Sequence, residues 1–284
     1  MEAIRRGHEL PAAQVGDTLL QRGDDALLSR AAMIDGLGSL VKTATVFPGN
    51  VMIPGGASTI NGSASLFSDT TGQLDATIDF HLLTKWKTAA DSALAARQLA
   101  RADSEQIVIV GSGTVARSMT QAYRCVFPDA SIGVWSRTHG HAQRLADDTG
   151  CHVIDDLERG VESADIICTA TMSSQPVVSG SWLRAGQHLD LIGGYRPDMR
   201  EVDDEAIARA DVFADCIDTA VEVGDFAHPM SSGLLDRSQT MDFSGIADST
   251  FVRSSADSIT ICKNAGGAHL DLMVARYMFD AQQS

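Results

Sequence analysis

The stretch Gln106-Ile-Val-Ile-Val-Gly-Ser-Gly-Thr-Val-Ala116 joins an apolar run to a glycine-rich turn. The run 107–110 has the length and the β-branched composition of a strand in the middle of a parallel sheet. Gly111, Gly113 and Ala116 match the G-x-G-x-x-A pattern. In that pattern the first glycine makes a tight turn, the second lets the backbone approach a pyrophosphate, and the alanine lets helix and strand pack closely.

The residues after the turn are predicted to form a helix, because Val115, Met119, Ala122 and Val126 recur at helical spacing on one face. The N-terminus of such a helix presents unpaired N–H groups and the positive end of its dipole to a phosphate. The sequence therefore predicts a dinucleotide site formed by the loop residues Gly111, Ser112, Gly113, Thr114, Val115 and Ala116.

Further strands alternate with helical segments after this loop. Runs typical of strands occur at 106–110, 131–135, 152–154, 165–170, 188–193 and 211–215. Alternation of this kind indicates a parallel, doubly wound sheet with helices on both faces. The fold class predicted for this part is α/β of the Rossmann type.

Residues 1–80 differ, because they contain short β-like runs separated by turn signals. A hairpin is predicted between 63–67 and 74–78 across the turn 69–72. A helix is predicted over 82–101, and a last amphipathic helix over 266–279, with Leu270, Met273, Val274, Tyr277 and Met278 on one side. We expect this last helix to pack on the first domain, so the chain is predicted to have a second, α+β domain.

Composition excludes several classes of protein. The chain has 284 residues, 44% apolar and 21% charged residues, and a net charge of −15. This balance disfavours binding to nucleic acid or to anionic lipid, since both need clustered lysine and arginine. No apolar run is long enough to span a membrane and the N-terminus lacks the apolar core of a signal peptide, so a cytoplasmic location is expected.

The end of the second Rossmann strand reads Val134-Trp-Ser-Arg-Thr138. An enzyme that uses NAD carries an acidic residue near this point to bind the ribose 2′-hydroxyl. Here Ser136, Arg137 and Thr138 supply two hydroxyls and a guanidinium instead, which suit a 2′-phosphate. NADP(H) is therefore predicted in preference to NAD(H), unless Arg137 is only a solvated surface charge.

Two later strand ends are expected to contact the cofactor, since ligands of open α/β sheets bind outside the carboxyl ends of the strands. The small residues there are expected to leave room for the nicotinamide ribose. They are Thr169, Ala170, Thr171 and Gly193.

No metal site is predicted. His139 and His141 are two residues apart and do not share a helix face, and no further ligands complete a set. The five cysteines form no C-x-x-C pair and are predicted to be reduced thiols, most of them buried.

Several blocks of the chain resemble the ornithine cyclodeaminase/mu-crystallin family. The matching blocks are 41–50, 66–67 with 71–72, 83–84, 88–94, 99–101, the Rossmann loop, 164–167, 170–171 and 259–264. The resemblance implies a homodimer whose β-rich domain forms both the dimer interface and a substrate pocket. With it, the domain boundaries are predicted as 1–100 with 257–284 for substrate binding and dimerisation, and 101–256 for NADP binding.

One departure from the family bears on the reaction. Ornithine cyclodeaminases carry a catalytic aspartate in a Gly-Asp-x-Pro-Gly-Lys context, whereas this chain has Tyr195 at that position and Met199 in place of the lysine. Cyclodeamination is therefore disfavoured. The block 193–201 and the end 263–273 resemble instead the branch that contains Δ1-pyrroline-2-carboxylate (ketimine) reductases, which reduce a cyclic imine acid to the cyclic amino acid.

The resemblance also implies the substrate residues. Lys42 matches the substrate lysine of the family and is expected to orient the substrate or relay a proton. Lys87 replaces an arginine of the family and can bind a carboxylate as a point charge, while Thr88 and Asn50 are further substrate-binding candidates. Tyr195 is a second catalytic candidate, as a hydrogen-bond donor or as part of the pocket wall. An arginine expected near Pro11 is absent.

Three functions are thus compared. The first is reduction of Δ1-pyrroline-2-carboxylate or Δ1-piperideine-2-carboxylate by hydride transfer to the C=N carbon. The second is an amino-acid dehydrogenase of the archaeal alanine type. The third is a non-catalytic NADPH-binding protein of the mu-crystallin kind, which the presence of Lys42 disfavours.

Overall fold

A computed structural model describes residues 1–283 of the chain. The backbone divides into two compact units. The five-stranded unit contains Glu2–Lys87 and residues 267–283, and the seven-stranded unit contains Thr88–Gly266 together with Met1. The boundary between Lys87 and Thr88 falls within one helix, Phe80–Leu99, so this helix belongs to both units.

The five-stranded unit is an antiparallel sheet in which each strand pairs with the next along the chain. A short 3₁₀ helix, Pro48–Met52, lies between its third and fourth strands. Its elements are α1 (Glu2–Gly7), β1 (Gln14–Arg22), β2 (Asp25–Ile34), β3 (Gly38–Val46), β4 (Ile60–Phe67), β5 (Leu74–Asp79), the first part of α2 (Phe80–Leu99) and, from the C-terminal end of the chain, α9 (Ala268–Gln283).

One face of this sheet is buried, and α9 packs against β2 and β3. Side chains alternate between the faces of a strand, so Ala32, Leu40 and Leu66 lie together on the buried face. The register pairs Lys42 with Arg30 on one side and with Ala64 on the other. Both basic residues therefore lie on this same face.

The seven-stranded unit is an entirely parallel sheet with helices in the connections. Its strands are buried along most of their length, as both faces of a doubly wound sheet are. Its elements after α2 are β6 (Gln106–Val110), α3 (Thr114–Val126), β7 (Ser131–Trp135), α4 (His139–Thr149), β8 (His152–Val153), α5 (Leu157–Ser163), β9 (Ile166–Thr169), β10 (His188–Leu191), α6 (Asp204–Ala208), β11 (Ala210–Ala214), α7 (Ile217–Ala220), α8 (Gly224–Ser231) and β12 (Ile259–Lys263), with short 3₁₀ turns at Gly180–Trp182, Arg237–Gln239 and Phe243–Ile246.

The strand order of this sheet is β11-β12-β10-β9-β6-β7-β8. From β6 the chain moves outward to β7 and β8, then returns to β9 on the other side of β6. The order of the strands reverses between β6 and β9, which is where open α/β sheets bind their ligands. The predicted fold class, a Rossmann sheet with a second α+β domain, is confirmed.

The position of β12 differs from the prediction. The predicted boundary at 256/257 assigned this strand to the substrate domain, but it lies inside the parallel sheet, between β10 and β11. It is fully buried and apolar apart from Thr260 and Lys263, so its place is in a sheet covered on both faces. The units change at Lys87/Thr88 and at Gly266/Gly267, whereas the prediction put the boundaries at 100/101 and 256/257.

Other local expectations had mixed outcomes. The hairpin predicted at 63–67 and 74–78 is present as β4 and β5, and the last helix packs on the first sheet. The hairpin of β1 and β2 was not predicted, because every residue of β1 is exposed and shows no apolar alternation. The predicted packing faces of α3 and α9 were wrong at Val115 and Tyr277, which are exposed.

Two of the five cysteines, Cys168 and Cys262, are buried, while Cys125 is exposed, so the expectation of mostly buried thiols was wrong. All five are free thiols. Within residues 1–283, none of the helices has the length and apolar character needed to cross a membrane. The same residues contain no group of three His, Cys, Asp or Glu side chains arranged to hold a metal ion.

Candidate active site

The Rossmann loop lies at the carboxyl end of β6, beside the end of β9. Gly111 has a φ of +131°, and a Cβ at this position would lie 2.5 Å from the carbonyl oxygen of Ala170. At Gly113, by contrast, a Cβ would meet nothing within 4 Å, and no side chain caps the helix that begins there. Ala116 is fully buried. The first N–H groups of α3 therefore have no intrahelical partner and open space before them, which fits a pyrophosphate.

The end of β7 lies against this loop. The Ser112 hydroxyl donates to the Ser136 hydroxyl at 3.0 Å, and the Gly111 N–H donates to the Trp135 carbonyl at 2.8 Å. Arg137 is exposed, as is Thr138 at the start of α4. The structure thus brings together the predicted pyrophosphate loop and the residues predicted to bind a 2′-phosphate.

The predicted contacts at the ends of β9 and β10 need correction. Thr169 is fully buried and its hydroxyl donates to the carbonyl of Asp190 at 3.4 Å, so its side chain is not open to a ligand. Gly193 was expected to leave room for a ribose, but a Cβ there would lie 1.8 Å from the carbonyl oxygen of Thr171. Gly193 is therefore required by a close contact within the protein.

Glu201 fixes these two strand ends. Its carboxylate accepts hydrogen bonds from the Thr171 N–H and hydroxyl, both at 2.8 Å, and from the N–H groups of Gly193 at 2.8 Å and Gly194 at 3.3 Å. Four donors from two loops thus meet on one fully buried carboxylate. A charged acceptor makes such bonds about twice as strong as a neutral one.

A buried ion pair lies behind Glu201. The Asp225 carboxylate accepts from the Glu201 N–H at 2.7 Å and lies 3.1 Å from the Lys263 ammonium. All three side chains have no exposed surface. Burial raises the pKa of the Glu201 carboxyl, the charge of Lys263 opposes that shift, and Asp225 adds to it.

Tyr195 lies in the loop that Glu201 holds, and 49% of its surface is exposed. The Arg196 guanidinium lies 5.7 Å from the centre of its ring and pairs with Asp198 at 2.8 Å. The position that carries an aspartate in cyclodeaminases therefore presents a phenol. Met199, in place of the lysine, is buried.

Lys42 is the centre of the second predicted site, in the five-stranded unit. Its ammonium donates to the Asp271 carboxylate at 2.8 Å and lies 5.0 Å from the centre of the Phe80 ring. Only 12% of the Lys42 side chain is exposed. Burial lowers the pKa of Lys42, and Asp271 opposes this shift.

Two further basic residues act on Lys42. Arg30 is its direct neighbour across the strands, where facing Cβ atoms lie about 5 Å apart, and its Nε donates to Asp17 at 2.9 Å. Lys87 on α2 is buried. Both positive charges add to the lowering of the Lys42 pKa. The structure thus brings the predicted Lys42 and Lys87 near each other and adds Arg30, which was not predicted.

The remaining predicted substrate residues are less closely placed. Thr88 follows Lys87 on α2, and Asn50 lies in the 3₁₀ helix after β3, where its side-chain amide donates to the Ser58 carbonyl at 2.9 Å. No hydrogen bond described for residues 1–283 joins Thr88 or Asn50 to Lys42. Their assignment to the substrate stays a prediction.

Sequence reasoning missed Arg30, Asp271, Glu201, Asp225 and Lys263. Three of them occur in blocks that resemble the family, at 193–201, 259–264 and 263–273. A charged residue inside an apolar block was the available signal, because a charge is fully buried only when it is paired.

A sequence model described as the ornithine cyclodeaminase/mu-crystallin family matches residues 32–284. The chain belongs to this family. Among its curated members, a Δ1-pyrroline-2-carboxylate reductase of Paracoccus denitrificans is 42% identical over 287 aligned residues, which cover 98% of this chain and 90% of the relative.

Solved structures of proteins similar to this chain show the same fold. An archaeal alanine dehydrogenase dimer with bound NAD superposes with a TM-score of 0.90 at 25% identity, covering 100% of this chain and 91% of that one. A Thermococcus litoralis Δ1-pyrroline-2-carboxylate reductase in complex with NADH and L-proline gives 0.88 at 24% identity, covering 99% and 92%. With the Rossmann loop described above, these relatives identify the chain as a pyridine-nucleotide oxidoreductase.

Proposed function

We propose that this enzyme reduces a small cyclic 2-imino acid, Δ1-pyrroline-2-carboxylate or Δ1-piperideine-2-carboxylate, to the cyclic amino acid. The observation that carries the proposal is the buried group of basic side chains around Lys42, in a chain 42% identical to a Δ1-pyrroline-2-carboxylate reductase. Such a substrate presents a carboxylate next to a C=N bond. A group of basic residues can bind the first and protonate the second.

The proposed reaction needs a hydride and a proton. The reduced nucleotide supplies the hydride to the C=N carbon, and the nucleotide leaves oxidised. Lys42 donates a hydrogen bond or a proton to the imine nitrogen, which makes the neighbouring carbon more electrophilic. Arg30 and Lys87 bind the carboxylate, and the guanidinium of Arg30 has the geometry for two parallel hydrogen bonds.

Tyr195 supports reduction over cyclodeamination. A phenol cannot replace the carboxylate that cyclodeaminases use, because it offers one hydroxyl in place of two acceptor oxygens. The half-exposed Tyr195 hydroxyl is proposed as a donor to the substrate or as part of the wall of its site.

NADP(H) is proposed as the preferred nucleotide. The exposed Arg137, with Ser136 and Thr138, offers a guanidinium and two hydroxyls where an NAD enzyme has an acid. The expected result is a higher kcat/KM for NADPH than for NADH, and Arg137→Ala should lower the NADPH value while changing the NADH value little.

An alanine-type dehydrogenase is the second candidate, because the archaeal alanine dehydrogenase has the same fold over the whole chain at a TM-score of 0.90. Its substrate would be an acyclic 2-oxo acid with ammonia. The same basic group would bind the carboxylate of either substrate.

A homodimer is proposed as the functional form. Leu20, Met33 and Val41 are exposed on the sheet face opposite Lys42, and an apolar patch of this kind is typical of a protein interface. Light scattering should give twice the mass of one chain, and Leu20→Glu should lower it. A single-chain mass for the unmodified protein would reject this interface.

The function is tested by following NADPH absorbance with each of four substrates. Reduction of Δ1-pyrroline-2-carboxylate or Δ1-piperideine-2-carboxylate, lost in Lys42→Ala, is the expected result. Amination of pyruvate without imine reduction would establish the second candidate. The fourth substrate is glyoxylate. Tight NADPH binding with no turnover of any of the four would indicate a non-catalytic binding protein.

A further inference from the structure

Asp271 lies on α9, 229 residues after Lys42, and its carboxylate accepts the Lys42 hydrogen bond at 2.8 Å. Both side chains are buried, with 12% of the Lys42 and 5% of the Asp271 side chain exposed. Burial removes the solvent screening that weakens an exposed ion pair, and loss of either partner leaves an uncompensated buried charge. The pair is therefore fixed in place, unlike a surface salt bridge.

The surroundings of Lys42 disfavour the positive charge of its ammonium group. Burial disfavours an ammonium, and Arg30 on β2 and Lys87 on α2 face it as like charges. Asp17 partly offsets Arg30 through its 2.9 Å bond but lies near the surface. The Phe80 ring at 5.0 Å favours a cation weakly. Asp271 is the buried carboxylate that compensates Lys42 directly.

We propose that Asp271 is a positioning residue for imine reduction, because its carboxylate keeps Lys42 charged and directs the Lys42 N–H bonds. Lys42 would then be able to donate to the imine nitrogen at the pH where the enzyme works. This inference rests on the proposed function, in which Lys42 is the donor.

The sign of the expected pH effect follows from these charges. The rate requires charged Lys42, so it falls as the pH rises through the Lys42 pKa. Burial and the two basic neighbours already lower this pKa, and Asp271 opposes them. Replacing Asp271 with a neutral residue removes the opposing charge. The alkaline decline must then move to lower pH.

The first test measures kcat/KM for Δ1-pyrroline-2-carboxylate with NADPH against pH in the unmodified enzyme and in Asp271→Asn. We expect the alkaline limb of Asp271→Asn to move down by about 1–3 pH units, the size of shift that a close opposite charge produces. Asp271→Glu should restore most of the original profile. Asp280→Asn, an exposed change on the same helix, should leave the profile unchanged. A purely structural Asp271 would lower activity equally at every pH, and that result would overturn the proposal.

The second test needs no substrate. The chain has four lysines, Lys42, Lys85, Lys87 and Lys263, so ¹³C labelling at lysine Cε gives few NMR signals, and Lys42→Arg identifies one of them. The pH at the midpoint of the Lys42 titration should fall in Asp271→Asn and should be unchanged in Asp280→Asn. Asp271→Ser, with room for a water molecule, is titrated in the same way if Asp271→Asn does not fold.

The two tests separate the two proposals. A Lys42 midpoint that falls in Asp271→Asn, in an enzyme that reduces no imine acid, would support the charge role of Asp271 and reject the proposed function. Active imine reduction with an unmoved midpoint would reject the role of Asp271 alone.

Discussion

In each unit of this enzyme a buried lysine pairs with an aspartate. In the five-stranded unit Lys42 lies 2.8 Å from Asp271, and in the seven-stranded unit Lys263 lies 3.1 Å from Asp225. The second pair has no exposed surface, whereas 12% of the Lys42 side chain is exposed. The two pairs are alike in chemistry and in length.

Their neighbours carry opposite charges. Arg30 and Lys87 act on Lys42 as further cations, while the Lys263 pair has the carboxylate of Glu201 beside it. That carboxylate is already occupied by four donors from two loops. The Lys42 pair, with two further cations beside it, has the charge to bind an anionic substrate. The Lys263 pair has a further carboxylate beside it, and that carboxylate binds donors of the protein itself, so this pair stabilises the fold. The same ion pair is thus proposed to have a chemical role in one unit and a structural role in the other.

Removing Lys42 should have the largest effect on activity. Lys42→Met is expected to lower kcat for Δ1-pyrroline-2-carboxylate by about 10²–10⁴-fold, the usual contribution of a general acid. Steady-state kinetics with NADPH measures this, and NADPH affinity, read by fluorescence titration, should not change. Lys85→Met, on the same unit and in contact with Trp86, is the control. A Lys42→Met enzyme of normal kcat would remove the chemical role from this pair.

Removing Lys263 should have the largest effect on stability. Lys263→Met leaves the two buried carboxylates of Asp225 and Glu201 without their cation, which should cost about 3–5 kcal/mol of unfolding free energy. Lys42→Met should cost less, because it leaves one buried carboxylate without its cation and also removes a like charge from Arg30 and Lys87. Urea unfolding of both variants measures the difference. Equal losses would show that the neighbouring charges do not distinguish the pairs.

Arg30 should affect substrate binding more than chemistry. Arg30→Gln removes one charged hydrogen-bond donor from the substrate carboxylate, so KM should rise about tenfold, or about 1.4 kcal/mol, with kcat nearly unchanged. Arg22→Gln, which breaks an exposed pair with Asp25 on the same sheet, is the matched control. A fall in kcat at constant KM would place Arg30 in the chemical step.

Glu201 should show the smallest effect, as a dependence of stability on pH. Burial raises its pKa in the folded state, so the folded chain holds the proton more tightly than the unfolded chain. The contribution of Glu201 to stability is then fully present below its ordinary pKa of about 4.3. It is lost as the pH rises through the folded-state pKa, by at most about 1.4 kcal/mol for each pH unit.

Urea unfolding of the unmodified protein and of Glu201→Gln from pH 4 to 8 tests this. Relative to Glu201→Gln, the unmodified protein should lose unfolding free energy as the pH rises. If the unmodified protein instead gained stability relative to Glu201→Gln, the four hydrogen-bond donors would lower the pKa of Glu201 more than burial raises it.

The fold could be predicted from sequence where one local pattern decided it. The loop Gly111–Ala116 and the alternating strands gave the parallel sheet because strand and helix periods are local properties. Strand β12 was assigned to the other domain, since its neighbours β10 and β11 are set by the return of the chain over a long separation. Strand β1 was missed because its exposed side chains follow no period of two.

The site was predictable only in part, for a related reason. Lys42 and Lys87 could be named from family blocks, but Arg30 becomes a neighbour of Lys42 only through the register of two strands. Asp271 reaches Lys42 only through the packing of a helix from the far end of the chain. Gly193 was interpreted as open space, although its contacts with Thr171 fill that space. Which partner a buried charge has is a tertiary fact, and the sequence around it does not contain that fact.

Strand β12 also sets an order of assembly. A ribosome produces β10 and β11 before it produces the strand that separates them. During synthesis the edges of β10 and β11 are therefore exposed and have no correct partner, and exposed edges of this kind favour wrong pairing and aggregation. Insertion of β12 closes the sheet and brings Lys263 to Asp225 in the same event. The nascent seven-stranded unit thus completes both its hydrogen bonding and its charge balance only when its last strand has been made.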